Sequence, residues 1–276
     1  MFYNPEYTKE GGKVSRLKVG AFVASFRLPF EEAVTKAQEL GLDGLQLASI
    51  KDEINVEEID EKKAGYINKV VSDHGLVISA ICGDIGGFST DDKNLAADRV
   101  ERTKRIMEGA ARLGVGIIQS HIGIAGEDPN DARYAVMVKS LEDIGRFAES
   151  VGVVFASETG LESPAALRCF LDNLAVPAIK VNYDPANLVM NDFDQIGGVA
   201  VLKDYIVHSH AKDGLCGSGK DGNYKEVPVG KGDVDFPRYV SAMDSIGFGG
   251  FYTIERECGD NFVSDIRDAK EYLSRF

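Results

Sequence analysis

The sequence predicts an α/β fold, a single (β/α)8 TIM barrel, and three observations carry that prediction. Eight short apolar runs alternate with longer amphipathic stretches along the 276 residues, the pattern of repeated β-then-α units. Five of the amphipathic stretches end in glycine just before the next apolar run (ELGLDGL, DHGLVIS, RLGVGII, SVGVVFA, SIGFGGF), where glycine takes the left-handed conformation that stops a helix. No GxGxxG follows the first apolar run, so an open dinucleotide-binding sheet is disfavoured. Residues 1–14 read as a polar N-terminal extension and 15–276 as the catalytic barrel.

Taken in order, the strands are predicted over 18–26 (KVGAFVASF), 42–49 (LDGLQLAS), 76–84 (LVISAICGD), 115–123 (VGIIQSHIG), 153–160 (VVFASETG), 178–186 (AIKVNYDPA), 205–213 (YIVHSHAKD) and 250–257 (GFYTIERE). Their Val, Ile, Ala and Phe content suits parallel strands buried on both faces. The clearest helix spans 132–150. There Val138, Leu141, Ile144, Phe147 or Ala148, and Val151 recur at helical spacing among Lys139, Glu142, Asp143 and Arg146. The CGDIGGF stretch at 82–88 reads as a loop after the third strand rather than a phosphate cradle. His74 falls at a helix C-terminus, a structural position, and Tyr183 and Phe88 are candidates for either core or pocket wall.

Composition narrows the function classes. With 44% hydrophobic and 27% charged residues the chain has material for a large core. A net charge of −13 disfavours nucleic acid as a partner, since phosphate binding needs clustered Lys and Arg. No run approaches the roughly 18 apolar residues of a membrane span, and the start MFYNPEYTKEGGK lacks signal-peptide order. Cys82, Cys169, Cys216 and Cys258 show no CxxC spacing, as expected of reduced thiols in a cytoplasmic protein.

The chemistry concentrates at four predicted strand ends: Glu158, Asp184, a histidine of the HSH triplet, and Glu255. In a parallel barrel all strands end on one face, so these side chains converge. Two carboxylates about 5 Å apart repel by roughly 3 kcal/mol at an effective dielectric of about 20, and a cation removes the conflict. Three carboxylates with one imidazole and no thiolate suit one divalent ion: Mn2+ first, with Mg2+, Co2+ or Zn2+ as alternatives. Asp184 precedes Pro185, so turn chemistry competes with ligation there. His208 and His210 share a strand face, and spacing leaves the choice between them open. His121, at the fourth strand end, can hydrogen-bond a substrate hydroxyl or be a half-buried polar residue. Lys212 and Asp213 are expected to line the pocket, Lys212 facing a substrate oxygen or phosphate or else forming a surface ion pair. The PVGKGD loop at 228–233 could offer backbone amides to an anion, although a plain turn is the preferred reading.

These residues resemble the xylose isomerase-like TIM barrels, in particular the sugar phosphate isomerase/epimerase branch. The resemblance rests on ETG at 158–160, NYDPANL at 182–188, HSHAKD at 208–213, VPVGKGDVDF at 227–236 and TIERE at 253–257, and runs from the GLDGLQL second strand onward. It implies that Glu158, Asp184, His210 and Glu255 hold one metal ion. It also implies that Glu158 and Glu255 act as acid and base around a metal-stabilised enediolate. The partner it implies is a small sugar, polyol or sugar phosphate, and homo-oligomers are common in such a family. Three departures stand out: Asn187 replaces a histidine common in ketose 3-epimerases, AKDGLCGSGK lacks a substrate-holding arginine, and Gln46 stands where an acid is common. The expected activity is therefore a sugar or sugar phosphate isomerase or epimerase, with an inosose-type dehydratase as the alternative. An apurinic endonuclease, which needs more histidines than the four present, and a non-catalytic sugar-binding barrel are remote readings.

Overall fold

The computed structural model describes residues 16–51, 54–125 and 130–276. The expected extension over residues 1–14 lies outside the described residues. Eight parallel strands close into a barrel: β1 Lys18–Phe22, β2 Gly44–Ala48, β3 Val77–Cys82, β4 Ile117–Ser120, β5 Val154–Glu158, β6 Ile179–Tyr183, β7 Ile206–Ala211 and β8 Phe251–Ile254. Each pairs with its sequence neighbours and β8 pairs with β1. The helices among the described residues are α1 Phe30–Glu39, α2 Glu61–Asp73, α3 Lys93–Arg112, α4 Ala132–Val151, α5 Pro164–Asp172, α6 Pro185–Met190, α7 Gly197–Leu202, α8 Phe236–Ser245 and α9 Phe262–Leu273. None is long and apolar enough to cross a membrane.

Local sequence explains the boundaries. Gly41, Gly75, Gly114, Gly152 and Gly247 all adopt positive φ, between 67° and 76°, as the helix-stop reading requires. Asp60, Asp92, Asp131, Ser163 and Asp235 each accept a backbone N–H at a helix start, satisfying donors the helix itself leaves free. In α4 the buried stripe is Met137, Leu141, Ile144 and Ala148, while Val138, Phe147 and Val151 pack at its flank. The first strand is shorter than expected, because the chain turns into a 3-10 segment over Val23–Phe26.

The barrel interior changes character from bottom to mouth. At the bottom Gly20 and Gly44, which lie opposite each other, leave room for the Phe251 ring. A methyl group on Gly44 would sit 2.9 Å from that ring. Ala80, Ile117 and Ala156 form an apolar layer. Above them come Asn182, His208 and Thr253, then Gln46 and His210, all buried. Register irregularities fall between Leu45 and Gln46 and between Val181 and Asn182, next to the polar layers, where bulges redirect side chains.

Tyr183 and Phe88 belong to the core rather than the pocket wall. Tyr183 stacks on Tyr239 at 5.7 Å, and Phe88 meets Phe155 edge-on.

Candidate metal centre

Four consecutive strands deliver one side chain each to the mouth. Glu158 ends β5, Asp184 follows β6, His210 is the penultimate residue of β7, and Glu255 follows β8. Their relative exposures are 4%, 0%, 0% and 6%, and one ligand atom from each lies within 4.8 Å of the others. The Nδ1 of His210 is 3.4 Å from Glu158 Oε1, 3.7 Å from Asp184 Oδ2 and 3.2 Å from Glu255 Oε2. Ligand atoms around a six-coordinate ion with bonds near 2.1 Å are about 3–4 Å apart.

Asp184 does two jobs at once. Its Oδ1 caps α6, accepting the N–H groups of Ala186 at 2.8 Å and Asn187 at 3.1 Å. Its Oδ2 is buried with no hydrogen-bond partner, and a buried carboxylate oxygen without a partner is costly. Turn chemistry thus occupies one oxygen of the carboxylate and leaves the other free for ligation.

His210 and His208 share the inward face of β7 yet occupy different layers. His208 pairs through Nδ1 with Asn182 Oδ1 at 2.9 Å and through Nε2 with Thr253 Oγ1 at 3.0 Å. Burial and the neighbouring His210 push its pKa well below the usual imidazole range. His210 faces the carboxylates through Nδ1, while its Nε2 lies 3.0 Å from Gln46 Oε1. An amide oxygen accepts, so in this arrangement Nε2 donates to Gln46 and Nδ1 faces the carboxylates. Burial lowers the pKa of His210, but Glu255 and Glu158 more than offset this and raise it well above the usual range. The cluster thus draws positive charge to its centre. The donor set, the partnerless Asp184 oxygen and the oriented imidazole fit a divalent ion.

The two glutamates have different neighbours. Glu158 Oε1 accepts from Asn187 Nδ2 at 2.9 Å, and His121 Nε2 lies 3.8 Å away. Gly160 makes this possible: at φ 128° a side chain there would put its Cβ 2.2 Å from that of Asn187. Burial raises the pKa of Glu158, but His121 and His210 bring it below the usual range. Glu255 accepts from Lys212 Nζ at 3.0 Å; burial opposes its ionisation, yet His210 and Lys212 hold it far below the usual range.

His121 is half exposed and bridges Asp84, 2.8 Å from its Nδ1, towards Glu158. The Glu158 charge, outweighing burial and aided by Asp84, raises its pKa to about 9. Lys212 is 4% exposed. It bonds Glu255 in a buried ion pair and Glu257 at the cavity rim, with Glu226 at 4.0 Å.

The expectation that Asp213 lines the pocket is corrected. Its carboxylate turns inward and accepts the N–H groups of Gly214, Gly230, Gly232 and Val234 at 2.9–3.1 Å. The PVGKGD amides are consumed by the protein's own carboxylate, which makes that segment a turn. His74 closes the C-terminus of α2 with Nδ1 2.8 Å from Val70 O.

A cavity of about 300 Å³ opens beside the cluster, lined by His121, Thr159, Asn187, Lys212, Tyr224 and Glu257 among others. This is at the small end of the range for ligand pockets. Five participants were not singled out as site residues from the sequence: Asn182, Asp84, Glu162, Glu226 and Glu257. Asn182 had a signal, since it stands two residues before Asp184 and shares its face. Glu162, on the β5–α5 segment, accepts the Ala125 N–H at 3.1 Å through Oε2 while Oε1 has no partner. Burial pushes its pKa up to about 7.

Fold and site together define a (β/α)8 barrel with a buried carboxylate–imidazole cluster at its mouth. The chain belongs to the xylose isomerase-like TIM barrel family, whose model matches residues 34–276. Among curated proteins it is similar to the L-ribulose-5-phosphate 3-epimerase of Salmonella heidelberg, 23% identical over 260 residues and covering 87% of each chain. Among solved structures, a xylose isomerase domain protein from Planctomyces limnophilus superposes with a TM-score of 0.79 at 24% identity, covering 95% of this chain and 97% of the other. A protein described as the probable 3-DHS dehydratase AsbF of Bacillus anthracis superposes with a TM-score of 0.78 at 17% identity, covering 93% and 98%.

Proposed function

We propose that this protein is a divalent-metal-dependent carbohydrate epimerase or isomerase. The observation that carries the reading is the buried Glu158–Asp184–His210–Glu255 cluster with its partnerless Asp184 oxygen. Glu158, Asp184, His210 Nδ1 and Glu255 would hold the ion, Mn2+ or Mg2+ in preference to Co2+ or Zn2+, and it would supply Lewis-acid polarisation of a carbonyl and its neighbouring hydroxyl. Glu158 and Glu255 leave strands separated by β6 and β7, so they approach the substrate from different sides. One takes the proton from the carbon beside the carbonyl and the other returns a proton to the opposite face, which inverts that carbon. Return of the proton to the adjacent carbon gives isomerisation.

Asn187 and His121 orient Glu158, and Lys212 keeps Glu255 ionised. The polar residues lining the cavity beside them bind hydroxyls. The similarity to an L-ribulose-5-phosphate 3-epimerase over most of both chains supports epimerisation over other reactions of this fold.

The test is solvent-deuterium exchange with metal-loaded protein across a panel of ketoses and their phosphates. The expected result is deuterium at the carbon beside the carbonyl, with no loss of atoms from the product. Product lighter by one water would make the protein a dehydratase, and product without deuterium would remove the proton-transfer route.

A further inference from the structure

The wall around the candidate active site speaks to the charge of the substrate. Resting on the epimerase reading above, we infer that the substrate is an uncharged keto sugar and that ketose phosphates are selected against. Loops after the seventh and eighth strands of such barrels often present backbone amides to phosphate. In this chain the corresponding amides of Gly230, Gly232 and Val234, together with Gly214, converge on the Asp213 carboxylate. The anion position is therefore filled from within the protein.

The cations of the wall are likewise engaged. Lys212 is clamped by Glu255 and Glu257, with Glu226 behind. His121 is paired with Asp84 and faces Glu158. Arg256, behind the cavity, bonds Glu226 and Asp265. A phosphate entering here would meet Glu257 and Glu226 and would have to break a buried ion pair to gain a partner, a like-charge contact that disfavours binding.

What the wall does offer matches a neutral polyol. Glu257 is more than half exposed at its side chain, and a carboxylate there can accept hydrogen bonds from sugar hydroxyls. Asn187 supplies a neutral polar group, and the half-exposed Tyr224 lines the cavity, where an aromatic ring suits the apolar side of a sugar. The cavity volume of about 300 Å³ suits one monosaccharide unit.

The experiment compares kcat/KM, read by deuterium exchange, for ketopentoses and ketohexoses against their terminal phosphates. The free sugars are expected to exceed the phosphates by about 100-fold or more. In Glu257→Gln, which loosens the clamp on Lys212, the phosphate-to-free ratio should rise about tenfold. Millimolar inorganic phosphate should leave the Tm of the metal-free protein unchanged. Equal or preferred turnover of phosphates, an unmoved ratio in the variant, or a phosphate-induced rise in Tm overturns the inference while leaving the epimerase reading standing. Absence of exchange with every free and phosphorylated sugar overturns both.

Discussion

From β5 to β8 every strand delivers a residue of the acidic cluster, whereas the rim from β1 to β4 contributes Gln46 and His121, each facing a group of the other half, and Asp84, which holds His121. Gln46 Oε1 lies 3.0 Å from His210 Nε2, and His121, held by Asp84, faces Glu158. One half thus carries the candidate ligands and proton carriers, and the other sets their protonation and orientation. The seam between them is partly closed by Glu162, which reaches from the β5–α5 segment to Ala125 after β4. A parallel barrel permits this division because residues distant in sequence share one face, and each half can change without altering the strand order of the other.

Four substitutions probe the division. The largest effect belongs to the β5–β8 half: Glu158→Gln and Glu255→Gln should each lower kcat by about 10²–10⁴-fold with the circular dichroism spectrum unchanged. Full activity in both would remove the acid/base roles. Next, Gln46→Leu should weaken metal binding by about 10–100-fold in titration calorimetry, as loss of a ligand's hydrogen-bond partner does. Affinity equal to wild type would show that the two halves are not coupled through His210.

The smallest effect belongs to the seam. Glu162 has a folded pKa of about 7 against 4.5 in its ordinary state, so the folded chain holds this proton more tightly. The penalty for ionising it is absent below about pH 4.5, grows as pH rises, and is complete above about 7. Glu162→Gln should therefore stabilise the protein at pH 8, by about 1–3 kcal/mol, and have little effect at pH 4. A Tm difference that does not depend on pH would exclude this origin.

The sequence made some of this legible through local rules. The five glycine caps marked helix ends, and inward parity carries from the cluster residues two residues back, from Asp184 to Asn182, from His210 to His208 and from Glu255 to Thr253. Contacts between distant segments left no such mark. Nothing in AKDGLCGSGK announces that Asp213 will gather amides from residues 230–234, or that Glu226 will arrive behind Lys212 and Arg256. Choosing between His208 and His210 by spacing alone was impossible, since layer depth depends on where the strand sits along the barrel axis.

The Asp213 carboxylate also bears on how this wall can change. By binding Gly214 and Gly230 together, it brings the two ends of the intervening segment to one point, and that segment supplies Tyr224 and Glu226 to the cavity. Because closing a longer loop costs only about 0.6 kcal/mol for each doubling of length, residues 215–229 form an exchangeable cassette. Transplanting a different cassette would recast substrate preference while the strands that deliver the four cluster residues stay in place.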